Sequence, residues 1–311
     1  MTDISIIIPY FNESKILPIT FELLINQSCK PKEIIFVNSN SNDESYKLVD
    51  ALVTDYNGVI KILNYDTQIK TPSAAKNFGV KKSTSKYVAF MDCDMYFENN
   101  WLSKQFNFIE NFNYPIILGQ VTLQGKNLID KISIIHTYGY NKPRPCIPSS
   151  IIKRNFFDIN SNSFEEYNAL YDQKWIKKNL KNRNARINNN ISIKYMNIEY
   201  AKNIKNLYKK VYYYSLPTIK IYGPLNKDLS FFLFFLILMC VKPTFIIYLI
   251  PVYLFFRNFI IVFYKSKSLR VYKFIKYRFD LLILTSIVID IAKIHGMTLG
   301  LFKKKITHYQ R

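Results

Sequence analysis

Histidine and acidic side chains are scarce in this chain. Its 311 residues hold three His, and 22 Asp plus Glu against 43 Lys plus Arg, for a formal net charge of +21. His136, His295 and His308 stand alone, without the paired spacing of a zinc site. His136 as a third ligand for some other metal is the lesser reading beside a structural histidine. The cysteines Cys29, Cys93, Cys146 and Cys240 share no C-x-x-C spacing, which argues against both zinc and a disulfide framework and fits a reducing compartment. Neither G-x-S-x-G nor the P-loop pattern G-x-x-x-x-G-K-[ST] occurs. The N-terminus has no basic stretch leading into a long apolar core, so no secretory signal is expected. The sequons at Asn12 and Asn26 are discounted with it. The basic excess falls mainly after Gln173, around and beyond a long apolar run. That placement points to an anionic membrane surface and away from nucleic acid.

What is present begins with alternation. Short apolar runs at Ile4–Pro9, Glu33–Val37, Val59–Leu63 and Tyr87–Met91 predict strands. Between them, helical spacing predicts helices over Ile16–Cys29, Glu44–Tyr56 and Ser73–Lys81, the second capped by Ser41 or Asp43. Such alternation argues for an α/β fold with a doubly wound, mostly parallel sheet, which binds ligands beyond the carboxyl ends of its strands. The polar turns Tyr10–Glu13, Asn38–Asp43 and Asp92–Asp94 then line one crevice. In the last of these, two carboxylates one residue apart suit a hard divalent cation carrying a phosphate ester. Further on, Trp101–Asn111 is predicted helical with Trp101, Phe108 and Phe112 as core. Ile116–Leu123 is predicted as a strand, Asn127–Tyr140 is ambiguous, and Lys142–Pro148 is predicted as loop.

Taken together, SIIIPYFNES, EIIFVNSNSND and PSAAKNFGVKKSTSKYVAFMDCDMYF resemble the donor half of family 2 glycosyltransferases, which have the GT-A fold. Departures from the family pattern are Asn38 for an Asp, Asn40 for a Gly and Lys76 for an Arg. The resemblance implies inverting transfer of one sugar from a nucleotide-diphosphate sugar, a UDP-sugar first among donors, since the Q-x-x-R-W of processive synthases is missing. It implies that Asp92 and Asp94 hold Mn²⁺ or Mg²⁺ against the diphosphate. Pro9, Glu13, Asn38, Asp43, Lys76 and Asp92 then form the donor site. Past Phe164-Glu165-Glu166, Tyr171 and Asp172 fall where the family has a Glu-Asp pair whose Asp is the general base. Asp172 is therefore the expected base, with Glu165 and Glu166 the next candidates. A nucleotidyltransferase on a related fold is the rival, but PYFNESK offers no glycine for a phosphate loop. A non-catalytic membrane-bound assembly partner is the third reading.

Residues 1–202 read as the catalytic domain, 1–122 its donor half and 123–202 its acceptor half. Residues 203–228 mix Lys with Tyr and Leu, as an interfacial segment does. Residues 229–264 are apolar enough for a membrane hairpin broken at Lys242-Pro243, with Pro251 and Arg257 interrupting its second arm. Residues 265–311 read as a basic tail with an apolar helix, Leu281–Leu301, that carries Asp290 and Lys293 and suits an interfacial or protein-packed helix better than a crossing. The basic segments place the protein at the cytoplasmic face of a membrane. A lipid-linked or cell-surface glycan acceptor is expected there.

Overall fold

A computed structural model describes residues 1–123, 125–157, 162–167, 169–195, 200–223, 226, 229–230, 233, 237, 244, 246–274 and 278–302. Packing divides the chain into two units, residues 1–122 with 143–196, and residues 123–142 with 197–311. The expected boundary at residue 202 is not the one the packing makes. The segment read as an acceptor half is shared, its first twenty residues (123–142) going to the second unit.

The first unit is built on an eight-stranded sheet. Its elements in chain order are β1 (Thr2–Tyr10), α1 (Leu17–Ile25), β2 (Pro31–Ser39), α2 (Ser45–Thr54), β3 (Lys61–Thr67), α3 (Pro72–Lys82), β4 (Tyr87–Phe90), β5 (Met95–Tyr96), α4 (Trp101–Phe112) and β6 (Ile116–Thr122). After an excursion into the second unit follow β7 (Arg144–Lys153), α6 (Tyr171–Lys181) and β8 (Ala185–Tyr195). The strand order is β3-β2-β1-β4-β7-β6-β8-β5. β3, β2, β1 and β4 run parallel, as their helical crossovers require, while β7 joins β4 and β6 antiparallel. The sheet is thus mixed, with its parallel half at the N-terminal end of the sequence. Ile4, Ile6, Ile7 and Ile8 of β1 and Ile34, Ile35 and Phe36 of β2 are fully buried, which explains why these strands read as unbroken apolar runs. Thr71 caps α3 by accepting from Ala74 N at 3.2 Å, and Pro72 pre-sets its first turn.

Three expectations need correction. β3 starts later than Val59, which is exposed, and continues through Asn64-Tyr65-Asp66-Thr67 in register with Phe36–Ser39. The proline-rich Lys142–Pro148 stretch is not all loop, because β7 begins at Arg144. Proline is tolerated because this part of β7 pairs only with β6, whereas β4 pairs only at Ile151–Lys153. Phe112 is exposed, lying under the Arg186 guanidinium 4.1 Å from its ring centre instead of entering the core.

The second unit contains α5 (Leu128–Thr137), α7 (Ile204–Ser215), α8 (Thr218–Tyr222), α9 (Ile246–Phe255), α10 (Ile261–Ser266), α11 (Arg270–Phe274) and α12 (Phe279–Phe302). A π-helical turn, Phe256–Ile260, joins α9 to α10, and the helix runs on through Pro251 and Arg257. The ambiguous 127–140 segment is helix α5, capped by the Asn127 side chain. α12 packs along α7, α5 and α8. Arg257 is 5% exposed and grips both Asp290 oxygens at 2.7 and 3.0 Å, with its third nitrogen 3.0 Å from His136 Nδ1. Because Arg257 can only donate, His136 Nδ1 accepts, and Nε2–H donates to Leu282 O at 2.9 Å. Burial and the neighbouring guanidinium hold the His136 imidazole neutral, with its pKa near 3. Both ring nitrogens are thereby committed, so His136 serves packing and not a metal. Most of the proposed 229–241 arm, Lys242-Pro243 and the Lys303–Arg311 tail lie outside the described residues.

Candidate active site

The parallel register brings the carboxyl ends of four strands level. Tyr10 pairs with Asn38, Asn38 with Asp66, and Ile7 with Phe90, just before Asp92. The first two polar turns are stitched to each other. Asn12 N donates to Ser41 Oγ at 3.0 Å, Asn42 N to Asn12 Oδ1 at 2.9 Å, and Glu13 N to Ser45 Oγ at 2.9 Å. Asn12 and Asn40 both adopt left-handed φ, 54° and 62°, a conformation that asparagine tolerates better than most residues. That accounts for an asparagine at position 40 where the family pattern has glycine. Asp43 accepts from Ser45 N at 3.0 Å and Ser14 N at 3.4 Å. Slight burial works to raise its pKa, but these hydrogen bonds outweigh it and hold the carboxyl below its ordinary value. Asp43 therefore serves the turns with both oxygens. Pro9 lies in the core end of β1, and its carbonyl accepts from the Cys93 thiol at 3.6 Å.

Asn38 is 2% exposed, and both ends of its amide are hydrogen-bonded. Its Oδ1 accepts from Ser41 N at 3.0 Å, and its Nδ2 donates to Asp66 Oδ1 at 2.6 Å. What the crevice receives at this place is the exposed carboxylate of Asp66, presented by an asparagine. Sequence reasoning missed Asp66 because Asn64–Thr67 read as the loop after a strand. The available signal was the uncharged residue at position 38, beside which a second carboxylate becomes tolerable.

The central cluster forms around Lys76. Its side chain runs from α3 through the core, 1% exposed, and its Nζ donates to Asp92 Oδ1 at 2.8 Å and to Tyr171 OH at 3.2 Å. Burial opposes the ammonium charge, but Asp92 outweighs it and keeps Lys76 protonated. Burial also pushes the Tyr171 phenol up to about 12. Asp92 is partly open, its side chain 31% exposed, while Asp94 is 4% exposed. Cys93, between them, is turned into the core, where burial raises its thiol. Asp172 stands in the first turn of α6, whose start carries no side-chain cap and follows Leu170 at φ 66°. Burial raises the Asp172 carboxyl, and Asp92 adds to that rise, while its own backbone neighbour Gln173 and Lys76 oppose it. Glu165 forms a surface pair with Lys174 at 2.6 Å, apart from this cluster of charges. Asp92, Lys76 and Tyr171 are thus joined directly, and Asp172 feels their charges. Tyr171→Phe is expected to cost about 1–3 kcal/mol in urea unfolding, since it strips a buried ammonium of one of two partners. Unchanged stability would remove this tie.

For a divalent cation, Asp92 and Asp94 offer hard oxygen donors. Among the described residues no three His, Cys, Asp or Glu gather at one point, so Asp92 and Asp94 are the two carboxylates these residues offer together. That fits Mg²⁺ or Mn²⁺, which usually take one or two carboxylates and complete their shell from phosphate and water.

The model of the family described as glycosyl transferase family 2 matches residues 5–180, more than half of the chain. The chain belongs to that family. It is 28% identical over 128 residues to the poly(ribitol-phosphate) beta-N-acetylglucosaminyltransferase TarP of Staphylococcus aureus, covering 40% of this chain and 38% of that protein. It is 26% identical over 170 residues to the poly(ribitol-phosphate) beta-glucosyltransferase of Bacillus spizizenii, covering 49% of this chain and 26% of that one. The matched part is therefore well under half of either relative. The crystal structure of S. aureus TarS 1-349 in complex with UDP-GlcNAc shares the fold, with a TM-score of 0.50 at 18% identity, over 71% of this chain and 68% of that one. This confirms the GT-A expectation.

Proposed function

We propose that the chain transfers one sugar from a nucleoside diphosphate sugar to an acceptor hydroxyl, with inversion at the anomeric carbon. The observation that carries this reading is the buried Lys76, which ties the Asp92 end of β4 to the first turn of α6, where Asp172 sits. Asp172, its basicity raised by burial, takes the proton of the acceptor hydroxyl as that oxygen attacks the anomeric carbon. The bond from that carbon to the diphosphate oxygen breaks, and nucleoside diphosphate leaves. Lys76 holds Asp92 fixed from inside the core, so the partly exposed carboxylate faces the ligand without drifting. Asp94 with Asp92 would hold a Mg²⁺ or Mn²⁺, and such an ion would neutralise charge on the leaving diphosphate. Pro9 and Glu13 shape the base pocket, Asn38 and Asp43 hold its walls, and Asp66 accepts from a ring N–H of the base.

A UDP-sugar is favoured, in keeping with the UDP-GlcNAc of TarS. The names of the two relatives support a cell-surface polymer or its lipid-linked precursor as acceptor. Two helices, Ile247–Ser266 and Phe279–Phe302, are long and apolar enough to meet a membrane, where such acceptors reside. The test is a panel of UDP-, GDP-, CDP- and dTDP-sugars with Mn²⁺ or Mg²⁺, scored by release of nucleoside diphosphate. One nucleotide class is expected to turn over, and failure of every donor with both ions would refute the reading. In the same panel Asp66→Asn should weaken the preferred donor by about ten- to a hundredfold, the worth of a hydrogen bond to a charged acceptor. An unchanged donor KM would take Asp66 out of the base pocket.

A further inference from the structure

The helix formed by α9, the π turn and α10 is two-sided. Arg257, Asn258, Val262 and Ser266 face inward, each at most 9% exposed. The opposite side leaves large apolar groups uncovered, among them Ile247 at 73%, Tyr248 at 72%, Phe256 at 54% and Tyr264 at 74% exposed. The π turn permits this division, because its extra residue lets the adjacent Arg257 and Asn258 both point inward.

What lies on the inner side limits how deep the helix goes. Arg257 is held by Asp290 of α12 and by His136 of α5. Further along, Lys265 Nζ donates to His136 O, and Tyr140 N donates to Ser266 Oγ at 3.1 Å. The end of α5 and the turn after it therefore run beside the helix from its midpoint to its C-terminal end. In sequence, α5 is joined to strands on both sides, by residues 123–127 and 138–143. It carries Asp130 and Lys131, and Asn141 and Lys142 follow it. In a crossing, Arg257, near the midpoint of the helix, would take its pair with Asp290 to mid-membrane depth, where ionisable groups are costly.

The C-terminal margin carries Lys265, Lys267, Arg270 and Lys273 with no acid among them, while Arg278 is paired with Asp280. A second copy of the chain docked on this face by two-fold symmetry would bring the same cations together. Phospholipid headgroups of negative charge complement them, with Tyr248 and Tyr264 at the depth that tyrosine favours.

We propose that Ile246–Ser266 lies in the plane of one leaflet of an anionic bilayer, its outer face in hydrocarbon and its inner face closed by Arg257, Asp290 and His136. This deepens the membrane attachment in the function proposed above and rests on it. It adds that the attachment is one-sided and crosses nothing through this helix.

The test uses the full chain with Cys29 and Cys240 replaced by serine, the buried Cys93 and Cys146 kept, and one cysteine introduced at Tyr248, Phe256 or Tyr264 and labelled with an environment-sensitive fluorophore. The outer two positions lie about 24 Å apart along a helix. The labelled proteins are bound to phosphatidylcholine–phosphatidylglycerol vesicles holding lipids brominated near the headgroup or near the chain end. Retained sugar-nucleotide turnover in each labelled protein shows that it is folded. All three labels should be quenched alike, and best by the shallow bromines. Deep quenching at Phe256 with shallow quenching at both ends, or a steady gradient from one end to the other, would mean a crossing and overturn the proposal. Flotation without quenching at any position would place the attachment elsewhere and overturn it too. Failure to float at all would remove the membrane from the proposed function, leaving sugar transfer to its own test. On vesicles of phosphatidylcholine alone, binding should weaken, and a protein that binds both vesicles equally would contradict the role of the basic margin.

Discussion

Asp94→Asn is expected to reduce sugar transfer by about a thousandfold or more, because it would withdraw a hard anionic donor from the ion proposed to neutralise the leaving diphosphate. A metal of that kind contributes several kcal/mol to the transition state, and each ~1.4 kcal/mol is tenfold in rate. The substitution keeps size and shape, which matters at a position 4% exposed. Thermal unfolding without donor should therefore change little, while the dependence of donor binding on Mn²⁺ or Mg²⁺ should vanish. A variant that binds donor with the parent's metal dependence would show the ion to be placed wrongly.

The second large effect belongs to Asp172→Asn. Donor and metal binding should persist, because the donor turns lie at the ends of β1, β2 and β4. The kcat for transfer should fall by roughly 10²–10⁴-fold, the usual worth of a general base. The parent's pH profile gives an independent reading. Burial favours the neutral acid, so the Asp172 pKa lies above its ordinary 3.8. As pH falls, the base is protonated and lost first at that raised value. The acid limb of the rate should therefore lie higher than an exposed carboxylate would place it, and it should be absent from the variant's residual rate. Near-normal turnover of the variant would move the base elsewhere. Glu165 is then the weaker heir, since it already pairs with Lys174 on the surface.

The donor half was legible where burial on both faces makes a strand continuous. Ile4–Pro9 and Glu33–Val37 carry enough apolar residues to declare themselves, and Asp92–Asp94 ends a strand of the same kind. Legibility failed where one residue served two purposes. Asn64 to Thr67 are polar because they meet the crevice, yet they extend β3 and pair with β2, so the reading stopped at Leu63 and lost Asp66. Pro145 and Pro148 speak against a strand unless one knows that β4 does not reach their side of β7. Lys76 illustrates a different gap. Its place in the pattern puts it in the donor site, and the structure buries it against Asp92 and Tyr171, the latter 95 positions away, a pairing that no local signal announces. Separations of 121 and 33 positions likewise hide the His136–Arg257 and Arg257–Asp290 contacts, which emerge only when separate helices pack.

The excursion of α5 out of the sheet has a consequence for the order of events during synthesis. The His136 ring closes on Leu282, 146 positions later, and the apolar side of α5 is covered by α10 and α12. At ribosomal speeds of about 5–20 residues per second, α5 waits roughly 7–30 s for those partners. Throughout that interval β6 and β7 can already pair, with Ile132, Ile135 and an uncharged-to-be histidine held in a loop between them. A nascent chain stalled before residue 246 should therefore be a ready client for a chaperone at this loop, even though most of its sheet is already complete.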